Sequence, residues 1–311
     1  AYTERYLAQD AADRAATISR HVREALEASL TSNTWMDDAT RAEAVAKLQK
    51  LKIEIGKPRS DLDFSIQPMG RGSFGSNILI ASTWHHREEM KRIGRPNADR
   101  RWDVLPQFPA LGYDLAHNRL FVTAAVLQPP VLDLKQPLSA QYGSFGALVG
   151  HELSRVADAK GRYVDASGNL RDWWSPATAT AWQGRIAPLQ GVYARFTYPG
   201  KPELKVDGAR TLGENAADVA GLELAWAAYA QQEPQAGDSA QQAFFRGWAR
   251  LWAQQLSADA IATHAQASPY APGQWRANAP AMQLPAFAKA FSCKAGNALF
   301  VADGERVSIW R

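Results

Sequence analysis

Apolar residues recur at helical spacing from Tyr6 to about Leu30 with no glycine or proline among them, which predicts one long amphipathic helix. Ser32-Asn33-Thr34 breaks that pattern. Asp37 and Asp38 then offer N-cap oxygens to a second helix from Thr40 to about Leu51, closed by Gly56 and Pro58. Residues 61–80 read as mixed and turn-rich. Beyond the charged run that ends at Arg100-Arg101, the apolar and β-branched stretch 120–127 predicts a strand, stopped by Pro129-Pro130. Helical periodicity returns over 142–160. A loop rich in Gly, Asp and Asn follows (Gly161, Asp165, Gly168, Asn169) and runs into Trp173-Trp174. Further helices are predicted over 214–229, over the Trp/Phe-rich stretch 241–256, and near 286–291 in a Pro- and Ala-rich C-terminal part. There is no internal repeat and no long linker, so the pattern describes a mostly helical α+β chain with a little sheet.

Composition narrows the classes. The chain has 311 residues, 46% hydrophobic and 21% charged, as a globular domain with a sizeable core has, and unlike a disordered chain. The net charge of +4 is modest and its basic residues are scattered. Without a Lys/Arg block to track a phosphate backbone, nucleic acid is not an expected partner. Cys293 is the only cysteine, which excludes an intrachain disulfide. No apolar run reaches membrane-spanning length, and no signal-peptide pattern opens the sequence.

The chemistry concentrates at Val149-Gly150-His151-Glu152-Leu153-Ser154-Arg155. In zinc peptidases the motif His-Glu-x-x-His works because residues four apart share a helix face. Two imidazoles then reach one metal while the Glu polarises the attacking water. Here His151 and Glu152 are present and position 155 is Arg. Alone, such a His-Glu pair is a weak signal, far more often what a solvated helix face carries.

Its surroundings decide the matter. Gly213-Glu214-Asn215-Ala216-Ala217-Asp218 lies downstream. Leu127-Gln128-Pro129-Pro130 and Tyr142-Gly143-Ser144-Phe145-Gly146 lie upstream, and the loop from Asp165 to Trp174 follows. Together with Trp35-Met36-Asp37, Ile55-Gly56, Phe244-Phe245 and Phe291-Ser292-Cys293, these segments resemble, in order, the neprilysin and endothelin-converting enzyme family of zinc metallopeptidases. The resemblance covers essentially the whole chain. It implies the C-terminal half of that family, a thermolysin-like (zincin) catalytic domain over 31–311 entered through a long linking helix at 1–30. The family's helical cap domain is expected to be largely missing from this chain.

Position by position, the resemblance assigns His151 as a zinc ligand, Glu152 as the general base, Glu214 as the third ligand and Asp218 as the carboxylate that orients a ligand histidine. It assigns Arg276 to holding a substrate carbonyl. Three positions depart from the pattern. Arg155 replaces the second histidine ligand. Tyr270 stands where the family has its transition-state histidine, and His264 is six residues out of register to replace it. Ala110 and Leu111 stand where the family has Asn-Ala, whose asparagine grips the substrate backbone.

A guanidinium cannot become a ligand and brings a fixed positive charge to a dication's place. Its donor fork suits carboxylates left without a metal, so Arg155 is expected between Glu152 and Glu214. These departures predict a pseudopeptidase that binds rather than cuts, with no cofactor. Its expected partner is a protein, either its own N-terminal half or an active homologue, or else a peptide lying in the retained cleft. The alternative is an active zinc endopeptidase with an altered metal site. The resemblance places the protein in the periplasm or outside the cell.

Overall fold

The structure, a computed structural model, describes residues 2–58, 69–91, 93, 94, 102 and 104–310. Helices α1 (Tyr2–Tyr6), α2 (Gln9–Thr31) and α3 (Asp38–Gln49) come first, then strand β1 (Lys52–Gly56) and helix α4 (Phe74–Met90). Strands β2 (Leu111–Asp114) and β3 (Arg119–Thr123) precede α5 (Leu138–Gln141), a wide π turn at Tyr142–Gly146, and α6 (Ala147–Ser154). Helix α7 (Pro176–Ala194) leads to the hairpin of β4 (Thr197–Tyr198) and β5 (Lys201–Lys205). The last third holds α8 (Leu212–Gln232), α9 (Asp238–Leu251), α10 (Ala258–Ala267), α11 (Gly273–Met282) and α12 (Pro285–Ala290).

Helix α8 is the axis of the molecule. Every residue from Glu214 to Ala225 is buried, so this helix is enclosed on all sides rather than amphipathic. Helix α2 lays its apolar face (Ile18, Val22, Leu26 and Leu30) against the core beside α8 and α6. Helices α6 and α8 approach backbone to backbone. A Cβ on Gly221 would sit 2.5 Å from the Ala147 carbonyl oxygen and the His151 nitrogen. One on Gly150 would sit 2.7 Å from the Gly221 oxygen. Only hydrogen at both crossing points allows backbone to touch backbone. The three-stranded sheet runs β1-β3-β2, with β1 parallel and β2 antiparallel to β3, which leaves β2 at the edge beside α6.

Several predicted elements change on inspection. The first helix is interrupted at Leu7 and Ala8, separating α1 from α2. The segment read as turn-rich to residue 80 contains α4 from Phe74 onward, capped by Ser73; its part at 61–68, like the charged run to Arg101, lies outside the described residues. The strand ends at Thr123 in a short 3₁₀ turn. The helix predicted to 160 stops at Ser154, because the chain folds back around Asp158, whose carboxylate accepts the N–H groups of Lys160 and Gly161 at 2.8 Å each. Helices α7, α10 and α11 have no counterpart in the sequence reading. Gly184, Pro188 and Gly191 obscure the period of α7, although Ser175 as N-cap and Pro176 in the first turn mark its start.

Two polar side chains, Asp37 and the buried Lys47, tie the framework together. Asp37 caps α3 by accepting the Thr40 N–H at 2.9 Å and also accepts the Thr178 and Ser175 hydroxyls at the start of α7. Those bonds, the Ser175 hydroxyl first, hold its carboxyl well below the usual range. Asp37→Ala should cost about 2 kcal/mol in a denaturant titration, since it removes a cap and orphans a buried hydroxyl. Lys47 is fully buried, donates to the Gly161 carbonyl at 2.8 Å, and lies over the rings of Tyr113 and Trp173. Burial pushes its ammonium down to about 8, against the pull of Asp158, Asp165 and Glu43. Between pH 8 and its unfolded value the folded chain has shed this proton while the unfolded chain keeps it, so stability rises with pH. Denaturation of wild type and Lys47→Met at pH 7.5 and 10.5 should show wild type gaining roughly 1–3 kcal/mol on the variant across that window.

Candidate functional site

The crossing of α6 over α8 assembles the centre. Gly150 seats on Gly221, so the next residue, His151, faces the turns of α8 that carry Asp218 and Glu214. The histidine is buried; its Nδ1 lies 2.7 Å from Asp218 Oδ1 and its Nε2 3.3 Å from Glu214 Oε2. Burial pushes the imidazole down, but the hydrogen bonds to Asp218 and Glu214 and the charges of Asp218 and Glu152 outweigh it and raise His151 to about 9. Each ring nitrogen thus faces a carboxylate oxygen.

Arg155, the last-turn neighbour of His151 on one helix face, reaches the same oxygen. Its Nη2 donates to Glu214 Oε2 and its Nη1 to Asp158 Oδ2 at 2.9 Å. Lys160 adds a third cation, donating to Glu214 Oε1 at 3.0 Å. Burial pushes the Glu214 carboxyl up; the His151 bond and the Arg155 charge hold it well below the usual range all the same. The expected bridge from Arg155 to Glu152 is not formed. The guanidinium chooses Asp158 instead, because the chain reversal after Ser154 brings that carboxylate three residues away on the same side. Glu152 accepts the Tyr113 N–H at 3.0 Å, with its second oxygen 3.8 Å from His151 Nε2. Asp158 and Lys160 were not singled out in the sequence. Their signal was proximity to Arg155, a carboxylate at i+3 and a cation at i+5.

The remaining assigned residues form a cleft of about 210 Å³ lined by Ala110, Leu111, Leu148, Trp252, Tyr270 and Arg276 together with His151 and Glu152. Arg276 donates twice to Asp218, Nε at 2.8 Å and Nη2 at 2.7 Å. Its guanidinium lies 3.6 Å from the centre of the Trp252 ring and 4.4 Å from that of Tyr270. Burial pushes the Asp218 carboxyl up, and the charge and hydrogen bonds of Arg276 pull it lower still. Burial raises the Tyr270 phenol, so it keeps its proton and is a donor facing the cleft. Ala110 spends its main-chain groups on Thr123 and has no side chain with which to hold a ligand. His264 is elsewhere, on α10, bonded at Nδ1 to the Tyr198 hydroxyl at 3.0 Å.

The donor set does not suit zinc. Of three protein ligands a peptidase site needs, His151 and Glu214 are present, and both Glu214 oxygens are taken, by Arg155 and Lys160. Arg155 Nη2 lies 3.4 Å from His151 Nε2, inside the space a dication would fill. Among the described residues no group of three or more His, Cys, Asp or Glu side chains is arranged to hold a metal ion. The cluster closes its charges without one: His151, Arg155, Lys160 and Arg276 face Glu152, Asp158, Glu214 and Asp218.

Comparison with known proteins places this geometry. Two models described as peptidase family M13 match residues 112–307 and 1–58. The endothelin-converting enzyme homolog of Locusta migratoria is 29% identical over 292 residues, which make up 89% of this chain and 40% of the locust protein. Neutral endopeptidase of Lactobacillus helveticus is 27% identical over 314 residues, 99% of this chain and 47% of its own length. Among solved structures, zinc metalloprotease Zmp1 of Mycobacterium tuberculosis in its open state superposes with a TM-score of 0.89 at 31% identity. The match covers all of this chain and 50% of that one. PepO of Lactobacillus rhamnosis superposes with a TM-score of 0.88 at 27% identity, over 99% and 48%. The chain thus spans half or less of the length of these relatives. Its helices and small sheets form the zincin-like fold of those metalloproteases, and with the family model matched over more than half its residues, it belongs to peptidase family M13, alongside neprilysin and the endothelin-converting enzymes.

Proposed function

We propose that this M13 domain does not hydrolyse peptides and acts by binding, as a noncatalytic subunit that takes a protein or peptide partner. The observation that carries this reading is the bond from Arg155 to Glu214, which puts a permanent cation where a zinc ion would have to sit. A water held there has no Lewis acid to lower its pKa. Tyr270 supplies one donor in the cleft, and Ala110 supplies none from its side chain to a peptide backbone.

Two features support a polypeptide as the partner. The cleft keeps apolar walls (Leu111, Val126, Val131, Leu148 and Trp252) and the stacked Arg276. Helix α4 leaves Phe74 and Leu79 81% and 69% exposed and buries only Trp84, an apolar display of the kind that partner-binding surfaces carry. The competing reading, a zinc endopeptidase with an altered metal site, draws on His151, Glu152 and Glu214 still facing one another across 3.3 and 3.8 Å.

Metal analysis of protein purified without chelator separates the two. Well under one zinc per chain is expected, together with no chelator-sensitive cleavage of peptides bearing a large apolar residue. Stoichiometric, tightly held zinc would sink the proposal. A second test uses Arg155→His. This variant should take up zinc more tightly than wild type and still cleave at least about a hundredfold more slowly than an active relative, because Tyr270 and Ala110 are separate departures. A working peptidase from that single change would show that Arg155 alone holds the site silent.

A further inference from the structure

Glu152 is the one carboxylate of the cluster that Arg155, Lys160 and Arg276 leave to other partners, and its hydrogen bond goes to the backbone. We propose that it serves as a latch on strand β2, occupying from within the main-chain donor that an extended peptide would need at the cleft edge. The functional meaning of the latch rests on the peptide-binding reading above.

Strand β2 is one of the two outer strands of the β1-β3-β2 sheet. The Thr123 N–H donates to the Ala110 carbonyl at 2.9 Å, and Gly112 lies opposite Phe121, so the main-chain groups of Ala110 and Gly112 turn toward β3. Alternation along a strand turns those of Leu111 and Tyr113 the other way, where Leu111 lines the cleft and Tyr113 meets the cleft-lining Glu152 of α6. An unpaired edge of this kind accepts an added strand. Here the Tyr113 N–H is already bonded to Glu152 Oε2 at 3.0 Å. Tyr113 is also fixed from behind: its hydroxyl donates to Asn118 Oδ1 at 2.8 Å, and Asn118 Nδ2 donates to the Lys47 carbonyl at 2.6 Å.

A peptide laid along β2 therefore finds main-chain partners at Leu111 and, one step on, a carboxylate whose lone pairs repel the carbonyl that Tyr113 would have received. Strand addition is one residue deep. The rest of the affinity must come from side chains against the apolar walls. This also accounts for a glutamate at position 152 without any role for it as a base.

Amide exchange by NMR, combined with titration of the capped peptide acetyl-Ala-Leu-Ala-amide, tests the latch in wild type, Glu152→Ala and Glu152→Gln. The Tyr113 amide should exchange about tenfold faster in Glu152→Ala and stay near wild type in Glu152→Gln, which keeps an acceptor oxygen. The amides of Leu120 and Val122 should not change, which marks an intact sheet. The probe should bind Glu152→Ala about two- to tenfold more tightly than wild type, the worth of one recovered hydrogen bond. Equal Tyr113 exchange in wild type and Glu152→Ala would overturn the latch. So would equal probe affinity in the two despite an opened Tyr113, since the edge would then not be where peptides pair. If Tyr113 opens and the probe binds none of the three, the latch stands and the peptide-binding reading falls.

Discussion

The contact between Gly150 and Gly221 is the constraint on which the site depends. Helices normally pack with side chains between their axes, at separations of about 8–10 Å. Here the backbones meet directly, and a methyl group on either glycine would overlap main-chain atoms of the other helix. That approach places the His151 imidazole within hydrogen-bond distance of Asp218, and Arg155 one turn later within reach of Glu214. It also explains why α8 is buried on every side, since a helix crossed this closely must be packed from the opposite face by α2, α7 and α11.

The electrostatics follow from that geometry. Four basic side chains and four carboxylates share a small volume; His151, Asp158, Glu214 and Asp218 are buried, while Lys160 reaches solvent. Such clusters contribute little net stability, yet losing one member leaves a charge without compensation, which is strongly unfavourable. The arrangement therefore specifies a geometry more than it stabilises a fold. Arg276 shows the same logic at the cleft wall, where two hydrogen bonds to Asp218 and two aromatic faces leave its guanidinium a single place to be.

Much of this was legible in the sequence, because the chemistry is carried by residue types at fixed helical spacing. His151, Glu214, Asp218 and Arg276 converge as their segments implied, and Tyr270 and Ala110 reach the cleft. What the sequence could not convey was which carboxylate Arg155 would choose. The choice depends on a chain reversal around Asp158, a loop feature with no periodicity. Helices α7 and α11 were hidden for a related reason: each carries a proline inside it, and α7 two glycines as well, and tertiary packing overrides that local penalty. Helix α4 shows the converse, a helix with a clear Ser73 cap but almost no buried face to give it a period.

The closed charge set also constrains how such a centre can change. A zinc site and this cluster are both neutralised, but by different means, and the path between them passes through states that are not. Replacing Arg155 by a neutral side chain leaves four carboxylates facing three basic side chains, while a dication entering the present arrangement would meet a guanidinium. Asp158 and Lys160, both bonded into the present arrangement, would each need a new partner. A single substitution within the cluster therefore leaves a charge without its partner, whereas α4, which buries only Trp84, carries few such constraints.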